Sequence, residues 1–122
     1  MFDVFDPIGT KILYQLRVGL SPLKSHKYRH NFIDTPSDIC DCTLDAETAR
    51  HFLLVCPLYS TQRDTLMEII NPLLILNDLE EITDINLVKL LLYGHDSFNL
   101  FENKIVIKAT IQYLKGSGHF PT

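Results

Sequence analysis

The stretch Cys40-Asp41-Cys42-Thr43-Leu44-Asp45-Ala46-Glu47-Thr48-Ala49-Arg50-His51-Phe52-Leu53-Leu54-Val55-Cys56 decides how this chain is read. Its pattern is Cys-x-Cys-x8-His-x4-Cys, and it contains all 3 cysteines of a 122-residue sequence. In an extended segment, residues two apart point to the same side. Cys40 and Cys42 can therefore offer both sulfurs to one point while Asp41 faces away. Asp45 is a helix cap and Glu47 suits a first helical turn, which predicts a helix over 46–55. That helix would carry His51, with Cys56 just past its end. The eight intervening residues let the chain double back so that the two halves meet.

Three thiolates and one imidazole make a closed tetrahedral set, the shell that structural zinc prefers and one that leaves no position for a reacting water. The expected cofactor is Zn2+ on Cys40, Cys42, His51 and Cys56, in an architectural role. The odd number of cysteines and the closeness of Cys40 to Cys42 disfavour a disulfide framework. Structural zinc adds about 10–16 kcal/mol to folding, against a net stability of about 5–15 kcal/mol for an ordinary domain, so losing a ligand is expected to cost the fold. The plainer alternative is a set of buried thiols acting as small apolar groups beside a satisfied histidine. Cys56 after Leu53-Leu54-Val55 fits that alternative by itself, and the clustering of four potential ligands favours the metal. A thiol enzyme built on Cys56 and His51 needs a third group to orient the base, and the sequence offers none.

Working outward, the chain reads as mainly α: a single small helical domain over 1–122 with a CCHC zinc knuckle between helices. The hydrophobic content of 46% supports one modest core. Asp6-Pro7 starts a helix carrying Ile8, Ile12, Leu13 and Leu16, and Gly19 stops it. Ser21-Pro22 starts a short second helix. The knuckle occupies 36–59. Ser60 caps a helix through Ile70, with Pro72 beyond its end, and Asp84 caps another that Gly94 terminates. Leu100, Ile107, Ile111 and Leu114 predict a last helix, although Ile105-Val106-Ile107 also suits a strand. The tail 116–122 is expected to fray. No apolar run is long enough to span a membrane, and Met1-Phe2-Asp3-Val4-Phe5-Asp6 lacks the basic start and apolar centre of a secretory signal, so an intracellular protein, nuclear or cytoplasmic, is expected.

Charge is unevenly spread. The net charge is −4, yet 11–30 contains Lys11, Arg17, Lys24, Lys27 and Arg29, two histidines and no acid. Tyr14, Tyr28, His26 and His30 interleave with these cations. Such a stretch can hold phosphates and stack an unpaired base on an aromatic ring, or can be the ordinary solvated face of two short helices.

The segment Glu47 to Tyr59, together with Phe5-Asp6-Pro7-Ile8-Gly9-Thr10-Lys11-Ile12-Leu13, Leu16-Arg17-Val18-Gly19-Leu20-Ser21 and His26-Lys27-Tyr28-Arg29-His30-Asn31-Phe32, strongly resembles the carboxy-terminal segment of non-LTR retrotransposon reverse transcriptases. The likeness runs from about Phe5 to Tyr113. It is most specific around the knuckle and weaker beyond Ile70, where only Leu91-Leu92-Tyr93-Gly94 is similar. In that family the segment follows the polymerase domain and carries a CCHC knuckle that helps hold template or target nucleic acid. The resemblance implies Cys40, Cys42, His51 and Cys56 as the four ligands. It also implies Lys11, Arg17, Lys24, His26, Lys27, Tyr28, Arg29 and His30 as residues contacting RNA or DNA. It further implies that the chain is a piece of a longer element protein, with a polymerase domain as a partner. An Asp-Asp pair, which polymerase chemistry uses to bind two metals, does not occur. Glu102-Asn103-Lys104 matches by letter the Glu-x-Lys part of the restriction-like endonuclease of some such elements, and equally a solvated helix face. The expected activity is therefore binding without catalysis. The alternatives are a module docking on the polymerase domain and a remnant of that endonuclease.

Overall fold

Ile12, Leu13 and Leu16 recur at helical spacing, and all three are buried along one side of α1 (Pro7–Val18). In the computed structural model, which describes residues 7–19, 21, 23–29 and 37–119, α1 ends at Gly19 with φ +75°, a left-handed stop. Asp6, the expected cap of α1, lies outside the described residues. Ser21 behaves as expected before α2 (Lys24–Arg29): its hydroxyl accepts the Leu23 N–H at 3.2 Å.

Three longer helices follow the knuckle: α3 (Ser60–Leu76), α4 (Asp84–Tyr93) and α5 (Leu100–Gly116). The sequence stops α3 near Ile70, whereas the helix runs on through Pro72. An internal proline forfeits one helical hydrogen bond. The next two residues, Leu73 and Leu74, are buried in the core, and their burial outweighs that loss. For α4 the cap is Thr83, whose Oγ1 accepts from the Asn86 N–H, and not Asp84, which sits in the first turn. The segment 105–107 is helical. Asn99 and Glu102 form a reciprocal capping box that starts α5, and helix continuity decides against the strand that its β-branched run also suits.

The core joins α1, α3, α4 and α5, with Leu23, Phe52, Leu53 and Phe98 filling its margins. Ile70, Leu91, Val106 and Leu114 are completely or almost completely buried at its centre. Gly94 ends α4 at φ +81°, ψ −169°, a region that only glycine occupies at low cost, and a Cβ there would lie 2.6 Å from Asn103 Oδ1. That asparagine fastens the connection to α5 by accepting the His95 N–H at 2.9 Å and donating to the His95 carbonyl. The tail expected to fray from Gly116 is helical at Gly116 and packed as far as His119, whose ring lies 5.4 Å from that of Phe52. Among the described residues the helices form no sheet. The extended pairing is a single antiparallel bridge between Ile39 and Ala46, and no helix is long and apolar enough to cross a membrane.

Candidate metal centre

The cysteine loop turns on that bridge. The Cys40 N–H donates to the Asp45 carbonyl at 2.9 Å, and the Thr43 N–H donates to the Cys40 carbonyl at 2.8 Å. Thr43 takes φ +67°, which closes the reversal within six residues. A left-handed β-branched residue costs on the order of 1–3 kcal/mol, and the loop holds it there. One consequence is that main-chain amides point at sulfur. The Cys42 amide faces Cys40 Sγ, and the Leu44 and Asp45 amides face Cys42 Sγ. The Leu58 amide, beyond the second half of the site, faces Cys56 Sγ.

That second half differs from the helix over 46–55 that the sequence predicts. Ala46 is taken by the bridge and Glu47 is drawn out of any helix by its own contacts, so helical winding starts only after Thr48. Thr48 is the residue that caps it, its Oγ1 accepting the His51 N–H at 3.1 Å. From His51 to Val55 the winding is π, and the Cys56 N–H donates to the His51 carbonyl at 2.7 Å. This geometry matters for convergence. In an α-helix, residues five apart point roughly 140° away from each other, and the wider π turn brings them close to one side.

The four ligand atoms of Cys40, Cys42, His51 and Cys56 lie within 4.8 Å of one another, so the cluster is able to hold a metal ion. Cys40 Sγ is 3.7 Å from Cys56 Sγ, and Cys42 Sγ is 3.1 Å from His51 Nε2. Cys40, His51 and Cys56 are buried and Cys42 is partly exposed. Burial is the main cause that pushes the Cys40 thiol up to about 12 and raises that of Cys56. The Leu44 amide is the main cause that lowers Cys42. His51 Nδ1 is buried without a hydrogen-bond partner among the described residues. A ring that presents Nε2 to the cluster carries its proton on Nδ1, and leaving that N–H unpaired costs about 1–3 kcal/mol.

Two side chains that the sequence does not single out hold the site. Arg63, in the first turns of α3, forks across the end of the π turn. Its Nη2 donates to the Cys56 carbonyl at 2.7 Å and its Nε to the Leu53 carbonyl at 3.1 Å. The other is Glu47, 1% exposed, whose Oε2 accepts from Cys40 Sγ at 3.6 Å. Its carboxyl is held below the ordinary range. Burial, the largest influence, opposes this and is overcome by the His119 ring and the Lys24 amide. Thr48 carried a readable signal, a threonine three residues before His51. Arg63 carried none, because its role depends on a fold that brings α3 under the π turn.

The basic residues divide into struts and exposed groups. Arg17 bonds the Leu92 carbonyl and lies over the Tyr93 ring, 5.1 Å from its centroid, joining α1 to α4. His26, expected at a nucleic-acid surface, is buried, with Nδ1 2.6 Å from Ser21 Oγ, because it holds the turn into α2. Lys24 Nζ is paired with Asp41 of the cysteine loop. Lys11, Tyr14, Tyr28 and Arg29 are exposed, Lys27 is half-buried, and His30 lies outside the described residues. Glu102 is engaged in starting α5, with Oε1 accepting the Asn99 N–H at 3.0 Å and Oε2 accepting from Asn77 Nδ2 at 3.2 Å. That capping role accounts for Glu102 in the Glu-x-Lys tripeptide. No known protein family, curated protein or solved structure matches the chain.

Proposed function

We propose that this chain is a structural zinc-knuckle module that contacts single-stranded RNA or DNA without catalysing a reaction, and that it is a piece of a non-LTR retrotransposon reverse transcriptase. The observation that carries the metal half is the convergence of three sulfurs and an imidazole nitrogen within 4.8 Å. A tetrahedral ion with Zn–S near 2.3 Å sets its sulfurs roughly 3.8 Å apart, close to the 3.7 Å between Cys40 and Cys56. The same geometry would ask about 3.5 Å of a sulfur and a nitrogen, a few tenths of an ångström more than the 3.1 Å between Cys42 Sγ and His51 Nε2. The donor set favours zinc over magnesium or calcium, which take oxygen ligands. Zinc bound here would supply architecture: it would hold the Cys40 and Cys56 thiolates ionised against the burial that otherwise keeps them protonated, and the amides aimed at Cys40, Cys42 and Cys56 would support the charge.

The nucleic-acid half rests on the resemblance of the 11–30 stretch to the family pattern and on the exposed Lys11, Tyr14, Tyr28 and Arg29 beside it. The test has two stages. Metal analysis of the purified chain is expected to give one zinc per molecule, and a chain free of metal after purification from zinc-supplemented medium removes the proposal. The loaded chain is then expected to bind single-stranded oligonucleotides at low salt, and a Lys11→Ala, Tyr28→Ala and Arg29→Ala triple variant to lose that binding. Ile75, Leu76, Leu100 and Phe101, all more than 60% exposed, favour a second reading, a face of the module that docks on the polymerase domain of the parent protein. Absence of oligonucleotide binding in a zinc-loaded chain selects that reading.

A further inference from the structure

The Glu47 carboxylate connects three separate parts of the chain. Its Oε1 accepts the backbone N–H of Lys24 at 2.8 Å and lies 3.1 Å from Nε2 of His119, while Oε2 faces Cys40 Sγ. The Glu47 main chain adds two bonds, accepting the Ser25 N–H at 3.2 Å and donating to the Asp38 carbonyl at 2.7 Å. Asp41, between the first two cysteines, pairs with the Lys24 side chain. The first turn of α2 is therefore tied to the cysteine loop through the Lys24 amide, the Ser25 amide and the Lys24 ammonium.

α2 has 6 residues, KSHKYR. Helices shorter than about 12–15 residues are marginal in water, so α2 owes its order to what it is tied to. Leu23 and His26 pack inward, and the three ties from Lys24 and Ser25 end on Asp41 and Glu47, at and just beyond the reversal that carries Cys40 and Cys42. The core of α1, α3, α4 and α5 is built from Ile12, Leu16, Leu66, Ile70, Leu91 and Leu114 and their neighbours, none of which comes from 37–47.

From this arrangement we infer that the metal ion positions α2: loading of the cysteine cluster fixes the loop, and Glu47 and Asp41 transmit that order to the helix bearing Lys27, Tyr28 and Arg29. The inference rests on the metal reading above and adds that the ion controls a surface outside its own coordination shell. Because no core residue comes from 37–47, the expectation that losing a ligand costs the whole fold gives way: the helical core remains folded without the ion. Glu47 and Asp41 are positioning residues, and their effect is read as local order, with no dependence on nucleic acid.

The experiment is hydrogen exchange, followed by mass spectrometry, on the full chain with one equivalent of zinc and after removal of zinc with EDTA. Loss of zinc is expected to speed exchange of the amides in 23–29 and 38–48 roughly ten- to hundredfold, the factor that loss of one charge-assisted hydrogen bond carries. Amides in 66–74 and 106–114 are expected to stay within about twofold, as locally opening units allow. The exposed substitution Asp41→Asn is expected to speed exchange in 23–29 while zinc stays at one per chain, and the shape-conserving Glu47→Gln to speed exchange in 23–29 as well. Unchanged exchange in 23–29 on zinc removal overturns the inference, as does core exchange that rises in step with it. A chain that takes up no zinc overturns the metal reading and this inference together. Zinc-dependent order of 23–29 without oligonucleotide binding leaves the inference standing and removes only the nucleic-acid reading.

Discussion

At the scale of single residues, Arg63 shows how a side chain outside the ligand set shapes it. Its guanidinium satisfies the Leu53 and Cys56 carbonyls at the end of the π turn, groups that a helix terminus otherwise leaves bare. Arg63→Met keeps the aliphatic packing and strips the donors, so that the Leu53 carbonyl loses its side-chain partner and the Cys56 carbonyl keeps only the longer bond from the Tyr59 N–H at 3.3 Å. The expected cost is about 2–3 kcal/mol of stability, read by urea unfolding. Zinc affinity is expected to fall about tenfold in competition with a chelator, as for other partners that orient ligands. Arg63→Lys restores a charge but cannot span two carbonyls with a planar fork, so it recovers only part of either quantity. Equal affinity in the methionine variant and the parent would show that the π turn keeps its shape unaided. The four ligands were legible in the sequence because the spacing of thiols and imidazole is itself the chemistry. Arg63 and Glu47 were not, because arginine and glutamate occur on most surfaces and only the folded chain sets them under a carbonyl or a sulfur.

At the scale of elements, the sequence places every α-helix among the described residues, misjudges several ends and misses the short 3-10 turn Pro57–Tyr59. The cap of α4 falls one residue early, α3 outlasts its stop signal, and the winding around His51 is π and starts late. The first follows from two adjacent cap-competent residues, Thr83 and Asp84. In the second, burial of Leu73 and Leu74 overrides Pro72. The third arises because Ala46 and Glu47 are claimed by long-range partners that no local pattern announces. One further contact between elements is testable by pH. Tyr113 of α5 donates its hydroxyl proton to the Phe52 carbonyl of the π turn, and burial pushes its ionisation up to about 12. Against about 10 in the unfolded chain, the folded state holds this proton more tightly. The tyrosine's contribution is thus complete below pH 10 and is lost as pH climbs from 10 toward 12, by about 2 kcal/mol. Urea unfolding at pH 9 and pH 11.5 is expected to show that loss in the parent. Tyr113→Phe should be less stable at pH 9, where the Phe52 carbonyl keeps only the longer bond from Arg63, and should decline less between the two pH values. Equal slopes in both proteins would place the alkaline loss elsewhere.

On the scale of the whole molecule, the charge distribution limits how nucleic acid can be held. Excluding 1–30, the chain has 13 acids and 6 Lys or Arg residues, from totals of 15 and 11 less two acids and five bases. A phosphate backbone is therefore favoured along α1 and α2 over the acid-rich remainder of the chain. Even there the structure commits part of the charge. Arg17 is spent joining α1 to α4, and Lys24, its ammonium stabilised chiefly by the hydrogen bond to Asp41, is spent on the cysteine loop. Of the five cations of the stretch, Lys11 and Arg29 are exposed and Lys27 is half-buried, so at most about three phosphates are neutralised there. For a single strand this gives a slope of log affinity against log salt of roughly −2, shallower than the five cations of the stretch imply when counted from sequence alone. Fluorescence anisotropy of a labelled oligonucleotide across a salt series measures it. A slope near −2 that flattens in a Lys11→Ala, Lys27→Ala and Arg29→Ala variant assigns the contact to this face. A slope steeper than about −3.5 requires cations that the fold has already employed, and means that α1 or α2 rearranges on binding. A slope of zero means that phosphates are not held at all, and it favours the docking reading, in which the exposed apolar residues at the ends of α3 and α5 are the contact surface.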